Sequence, residues 1–113
     1  MTTFDYAEID EEPNGSCLVL SCTDPCALES LVQEFSKVYP RCRIKKLEGP
    51  DFPAPEDSRL YRIDKLPTTL IGSWWVLKYL CRNGWEPFAV QETRALDDHK
   101  KIIYLRRKNH GVM

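Results

Sequence analysis

The 113 residues predict a single α+β domain, a mainly antiparallel sheet with two helices packed on one face. Three observations carry this reading. Residues 28–38 and 70–81 repeat apolar side chains at helical spacing, shorter segments between and after them alternate or run apolar over strand lengths, and Gly, Pro, Asn and Asp punctuate the joins. A hydrophobic fraction of 42% can furnish one core at this length.

Residues 1–15 are polar and acidic and close on Pro13-Asn14-Gly15. Their apolar area is too small to offset ordering entropy, so a flexible acidic leader is expected. Cys17–Cys22 is apolar on both alternating faces, as a covered strand would be, with Leu18 and Leu20 facing one layer and Val19 the other. Asp24 suits a helix N-cap and Pro25 the first turn, where a missing N–H costs nothing. Leu28, Leu31, Val32, Phe35 and Val38 form that helix's buried stripe, and Pro40 stops it. Arg41–Leu47 returns as a strand with Cys42 and Ile44 on one face. Three prolines and a glycine make 49–58 a loop, and Leu60–Asp64 resumes an extended pattern.

Pro67-Thr68-Thr69 opens the second helix, whose stripe is Leu70, Trp74, Leu77 and Cys81, flanked by Ile71 and Leu80. Asn83-Gly84 tolerates the left-handed conformation that ends a helix. Trp85–Thr93 then reads as a strand, 96–99 as a polar bend, and Ile102–Leu105 as the closing strand of a hairpin at the sheet edge. The order β-α-β-β-α-β-β over residues 16–108, with 109–113 as a tail, is that of a ferredoxin-like sandwich with an extra edge strand.

Charge is unevenly spread along the chain. Five of the 17 acidic residues lie in the first fifteen positions and the first basic residue is Lys37, leaving a body with 12 acids against 16 bases. Such a body suits an anionic partner or a solvated mixed-charge surface. No apolar run approaches the ~20 residues that span a bilayer, and the N-terminus shows no signal core, so no membrane partner and a cytoplasmic or nuclear location are expected. Five cysteines, odd in number and mostly within apolar patterns, argue for buried thiols over a disulfide framework.

Catalytic motifs are sparse, and no catalytic residue, metal site or cofactor is assigned. His99 and His110 have no C-x-x-C pair to complete a zinc site, and neither a phosphate-cradling glycine loop nor a G-x-S-x-G elbow occurs. Cys22-Thr-Asp-Pro-Cys26 sits where a strand hands over to a helix, the place of a thioredoxin-like redox pair, with Leu66-Pro67-Thr68 in the role of its proline loop. Aligned N–H groups there would favour a thiolate at Cys26. Three residues separate this pair where that family uses two, which makes thiol oxidoreductase chemistry an alternative reading.

Binding surfaces offer more. Tyr61 between Arg59 and Arg62, with Lys45 on the preceding strand, would suit RNA or single-stranded nucleic acid on a sheet face, although the basic-Gly-aromatic pattern of an RNA-recognition strand is missing. Adjacent tryptophans on a helix differ by ~100° and cannot share one core direction, so Trp75 with Tyr79 is expected as an exposed patch for a protein partner. Arg106 and Arg107 on the closing strand extend that expectation, because a basic edge strand either blunts pairing or accepts a partner strand.

Residues 59–107 resemble the GTP cyclohydrolase feedback regulatory protein family in the aromatic-bearing strand Leu60-Tyr61, the Pro-started helix with Val76-Leu77 and Leu80, the turn Arg82-Asn83-Gly84-Trp85 and the final Ile103–Arg107. Gln91–Leu96 replaces the family's characteristic hairpin segment. The resemblance implies a non-catalytic regulator that docks on another protein. A non-enzymatic protein-interaction or regulatory module is therefore the leading expectation.

Overall fold

Period-2 alternation makes a strand of the acidic N-terminal segment. In the computed structural model, which describes residues 2–11, 17–47, 59–64, 69–95 and 98–110, Thr2–Glu11 is β1. Ala7 and Ile9 on its odd side are buried, while Tyr6 and Glu8 on its even side are exposed. β1 pairs antiparallel with β2 (Leu18–Cys22) on one flank and with β6 (Asp98–His110) on the other, so the expected loose leader is an interior strand. Its acids have partners that composition does not reveal. Asp5 faces Arg107 at 3.5 Å, and Glu11 accepts a hydrogen bond from the Ser73 hydroxyl.

The remaining elements are α1 (Pro25–Val38), β3 (Arg43–Lys46), β4 (Arg59–Asp64), α2 (Thr69–Arg82) and β5 (Glu86–Ala95). All six strands form one sheet in the order β3-β4-β2-β1-β6-β5, every neighbouring pair antiparallel. The α+β class and the antiparallel sheet are as expected. The strand order differs from a ferredoxin-like sandwich because β1 lies between β2 and the C-terminal hairpin. A second consequence is that β6, expected at the edge, is interior, and the edges are β3 and β5.

Both helices cover one face. α1 rests on β2, α2 rests on β1, and the helices touch through Phe35 and Trp75, whose rings meet edge-on at 5.2 Å. Between helices and sheet lies a core that includes Ile9, Leu18, Leu20, Leu31, Phe35, Ile63, Val76, Leu80, Trp85 and Leu105. Each fully buried aliphatic or aromatic side chain there contributes roughly 1.5–3 kcal/mol relative to exposure.

Helix ends follow the sequence signals closely. Asp24 caps α1, its Oδ1 accepting from the N–H groups of Cys26 at 3.1 Å and Ala27 at 3.3 Å, and Pro25 follows it. α2 ends as the N–H groups of Trp85 and Gly84 donate to the carbonyls of Leu80 and Cys81, with Gly84 at φ +88°. Helix faces depart from expectation at two places. Val38, the last residue of α1, is 51% exposed, and among the described side chains of α2 the buried ones are Ser73, Val76 and Leu80, with Leu77 partly buried against the core and Leu70 and Ile71 outside the described side chains. Trp74 and Cys81, expected on the buried stripe, are exposed.

Candidate functional site

The face of the sheet opposite the helices concentrates aromatic side chains at one end. Cross-strand register places Tyr6 of β1 beside Arg106 of β6, which stands beside Glu86 of β5. Phe4 and Tyr6, two residues apart, share this face, as do Tyr104 and Arg106. Phe88 joins them through a bulge. The register of β5 against β6 shifts between Pro87 and Ala89, and the extra residue turns its ring onto Tyr6, 6.1 Å away edge-on, and towards Tyr104 at 6.4 Å.

Arg106 binds the cluster together. Its guanidinium lies 5.1 Å from the Phe4 ring and 5.4 Å from the Phe88 ring, while Nε and Nη2 both donate to Glu86 Oε1 at 3.1 Å. The Tyr104 hydroxyl donates to Gln91 Oε1 at 2.9 Å. Tyr6 and Phe88 nevertheless remain 48% and 46% exposed. A hollow of about 510 Å³ borders the cluster, lined by Phe4, Gly84, Glu86, Arg106, Arg107 and Lys108. The result is a rigid apolar patch with a held guanidinium and a groove at its end, on strands and not on a loop.

Several residues expected to act together are separated by the sheet. Tyr61 packs against the core on the helix side, since it stands opposite Leu20, whereas Arg62 and Lys45 stand opposite Val19 and each other on the open face. Arg59 opens β4. Trp75 is half-buried against Phe35 and stacked on Tyr79 at 5.3 Å, so this pair bridges the helices, and the exposed tryptophan is Trp74, 54% accessible with Lys78 over its ring. Arg107 departs from Arg106 in the same way. It sits on the helix side, donating to Asp24 Oδ2 at 2.6 Å, with its guanidinium 4.6 Å from the Trp85 ring.

Both signs of charge occur among the described side chains of the open face. Across the open face Arg43, Lys45, Arg62, Arg106 and Lys108 meet Glu8, Asp10, Asp64 and Glu86. Burial works to raise the Asp64 carboxyl, yet hydrogen bonds from Arg62 and Cys17 and the charges of Arg62 and Arg43 hold it below its ordinary value. On the helix side, burial pushes the Cys22 thiol up to about 11, despite an N–H from Asp24 at 3.4 Å. Cys26 is exposed. Of the patch only Arg106 was among the expected partner-binding residues; Phe4, Tyr6, Phe88 and Tyr104 escaped sequence reading, although Phe4 and Tyr6 alternate with Ala7 and Ile9 and supply the signal.

No protein-family model matches the chain, and no curated protein matches it. Among solved structures it is similar to a conserved kinetoplastid-specific protein from Trypanosoma cruzi, with a TM-score of 0.59 and 10% identity over 89% of this chain and 93% of that one. At that identity the likeness shows the fold alone. Among the described residues, no helix is long and apolar enough to cross a membrane.

Proposed function

We propose that this chain is a non-enzymatic interaction module that docks another protein on the open face of its sheet, through Phe4, Tyr6, Phe88, Tyr104 and Arg106. The observation that carries the reading is the pair Tyr6 and Phe88, each nearly half exposed beside a guanidinium already held between two rings. Aromatic residues and arginine supply most of the energy at protein interfaces, and rigid placement lowers the ordering cost of binding. The likeness of residues 59–107 to a feedback regulatory family implies a role of the same kind.

Charge favours protein over nucleic acid as the occupant. A phosphate backbone needs an excess of cations, whereas the described side chains of this face set Arg43, Lys45, Arg62, Arg106 and Lys108 among Glu8, Asp10, Asp64 and Glu86, and the whole chain carries a formal net charge of -1.

Affinity capture from extract of the source cell tests this directly. A protein held by the wild-type chain and by Trp74→Ala is expected to be lost from Phe88→Ala and from Arg106→Ala, with circular dichroism unchanged in all three. Retention of the captured protein by both open-face variants would end the proposal. Release of the capture by nuclease would transfer the same surface to the nucleic-acid reading.

A further inference from the structure

The two edges of the sheet are built differently. β5 carries Pro87, which has no N–H to give a neighbour, and a bulge between Pro87 and Ala89, both of which discourage a further strand. β3 carries neither. No strand among the described residues pairs with its outer side, so alternate backbone N–H and C=O groups of this edge point outwards. Its side chains divide by face. Ile44 stands opposite Ile63 and is partly buried at the margin of the core, whereas Arg43 and Lys45 are exposed on the open face, opposite Asp64 and Arg62. Two residues apart on one strand, these cations are ~6.8 Å from each other, the same repeat as any extended chain laid beside them. Lys45 and Arg62 form a like-charge cross-strand pair, an arrangement that costs stability until an anion comes close. Asp64 is engaged with Arg62, whose Nε donates to it at 3.0 Å, and exposed Arg41 and Lys46 add positive charge at either end of the strand.

We infer that the β3 edge accepts an extended segment of another protein in which acidic and apolar residues alternate, added to the six-stranded sheet as one more strand. The backbone of that segment pairs with the outward groups of β3. Its acidic side chains, two residues apart, meet Arg43 and Lys45 on the open face, and the apolar residue between them lies beside Ile44 and lengthens the core. The same cations repel β3 of a second copy and keep the edge from pairing with itself, so the charge that blunts one partner selects another. Main-chain pairing favours a peptide over nucleic acid, and Tyr61, a ring that could stack a base, faces the helix side. This surface lies at the edge of the sheet opposite β5 and does not depend on the aromatic patch.

The test titrates the full-length protein into a fluorescently labelled Glu-Val-Glu-Val-Glu-Val-Glu peptide at low ionic strength and follows anisotropy. Binding is expected to weaken about tenfold when Gln replaces every Glu of the peptide, and equally for the double variant Arg43→Gln with Lys45→Gln, the worth of two opposite-charge cross-strand pairs. A peptide N-methylated at every amide keeps the charges but cannot join a sheet, and is expected not to bind. No binding of the Glu peptide, equal binding of the Glu and Gln peptides, or equal binding of the methylated and unmethylated ones would overturn the inference from the wild-type protein alone. Tighter binding of oligothymidylate with displacement of the peptide would overturn it in favour of nucleic acid. Phe88→Ala is expected to hold the peptide as the wild type does, which separates this result from the fate of the docking function; loss of the peptide from that variant would move it to the aromatic patch and contradict the β3 assignment.

Discussion

Neighbouring residues of like chemistry have opposite fates in this molecule, and two pairs show why. Arg106 and Arg107 are adjacent on a strand, so one reaches the open face and the other the helix side. Arg107→Ala would remove the ion pairs to Asp5 and Asp24 and uncover Trp85, and is expected to cost about 2 kcal/mol in urea unfolding, against roughly 0.5 kcal/mol or less for Trp74→Ala. Trp75→Ala, which removes the ring between Phe35 and Tyr79, is expected to cost about 3 kcal/mol by the same measurement. A small cost for Trp75 and a large one for Trp74 would reverse the faces assigned to α2. Cys22 adds a pH dependence. Its folded thiol ionises at about 11 where the ordinary value is 9.0, so the unfolded chain alone loses that proton between them. Its contribution is whole below pH 9 and is lost as pH rises towards about 11, a decline that Cys22→Ala should abolish when unfolding free energies of the two proteins are subtracted. The alternation behind the Arg106–Arg107 split was available in the sequence. The tryptophan split was only half available, because ~100° between neighbours says that one must leave the core without saying which.

At the scale of elements, local chemistry was legible and partnership was not. Asp24-Pro25 and Asn83-Gly84 mark a helix start and a helix end because capping depends on residues within a turn of one another. β1 was hidden for the opposite reason. Its inward side offers little more than Ala7 and Ile9, and what orders it are two neighbours, one of them β6 at the far end of the chain, with Ile9 opposite both Leu20 and Ile103. Ile9→Ala is accordingly expected to cost about 2–5 kcal/mol, whereas the same change in a loose leader would cost nothing. The bulge at Pro87–Ala89 is a second element-scale feature that alternation misreads, since Phe88 shares the open face with Glu86 two residues before it and not with Val90 two residues after it.

For the whole molecule, the α+β class followed from the count and kind of elements, and the strand order did not, because a polar strand inserted at the centre leaves the hydrophobic pattern of its neighbours unchanged. That insertion creates the candidate site: β1 supplies Phe4 and Tyr6 to a surface whose other members come from β5 and β6. Helices on one side and aromatic rings on the other give the molecule a helix-covered face and an open face, the latter the proposed docking surface. Hydroxyl-radical footprinting of the captured complex against the free chain measures this division most directly. Tyr6, Phe88 and Tyr104 should lose reactivity on binding while Trp74 keeps it; protection of Trp74 with the three open-face rings unchanged would contradict the assignment.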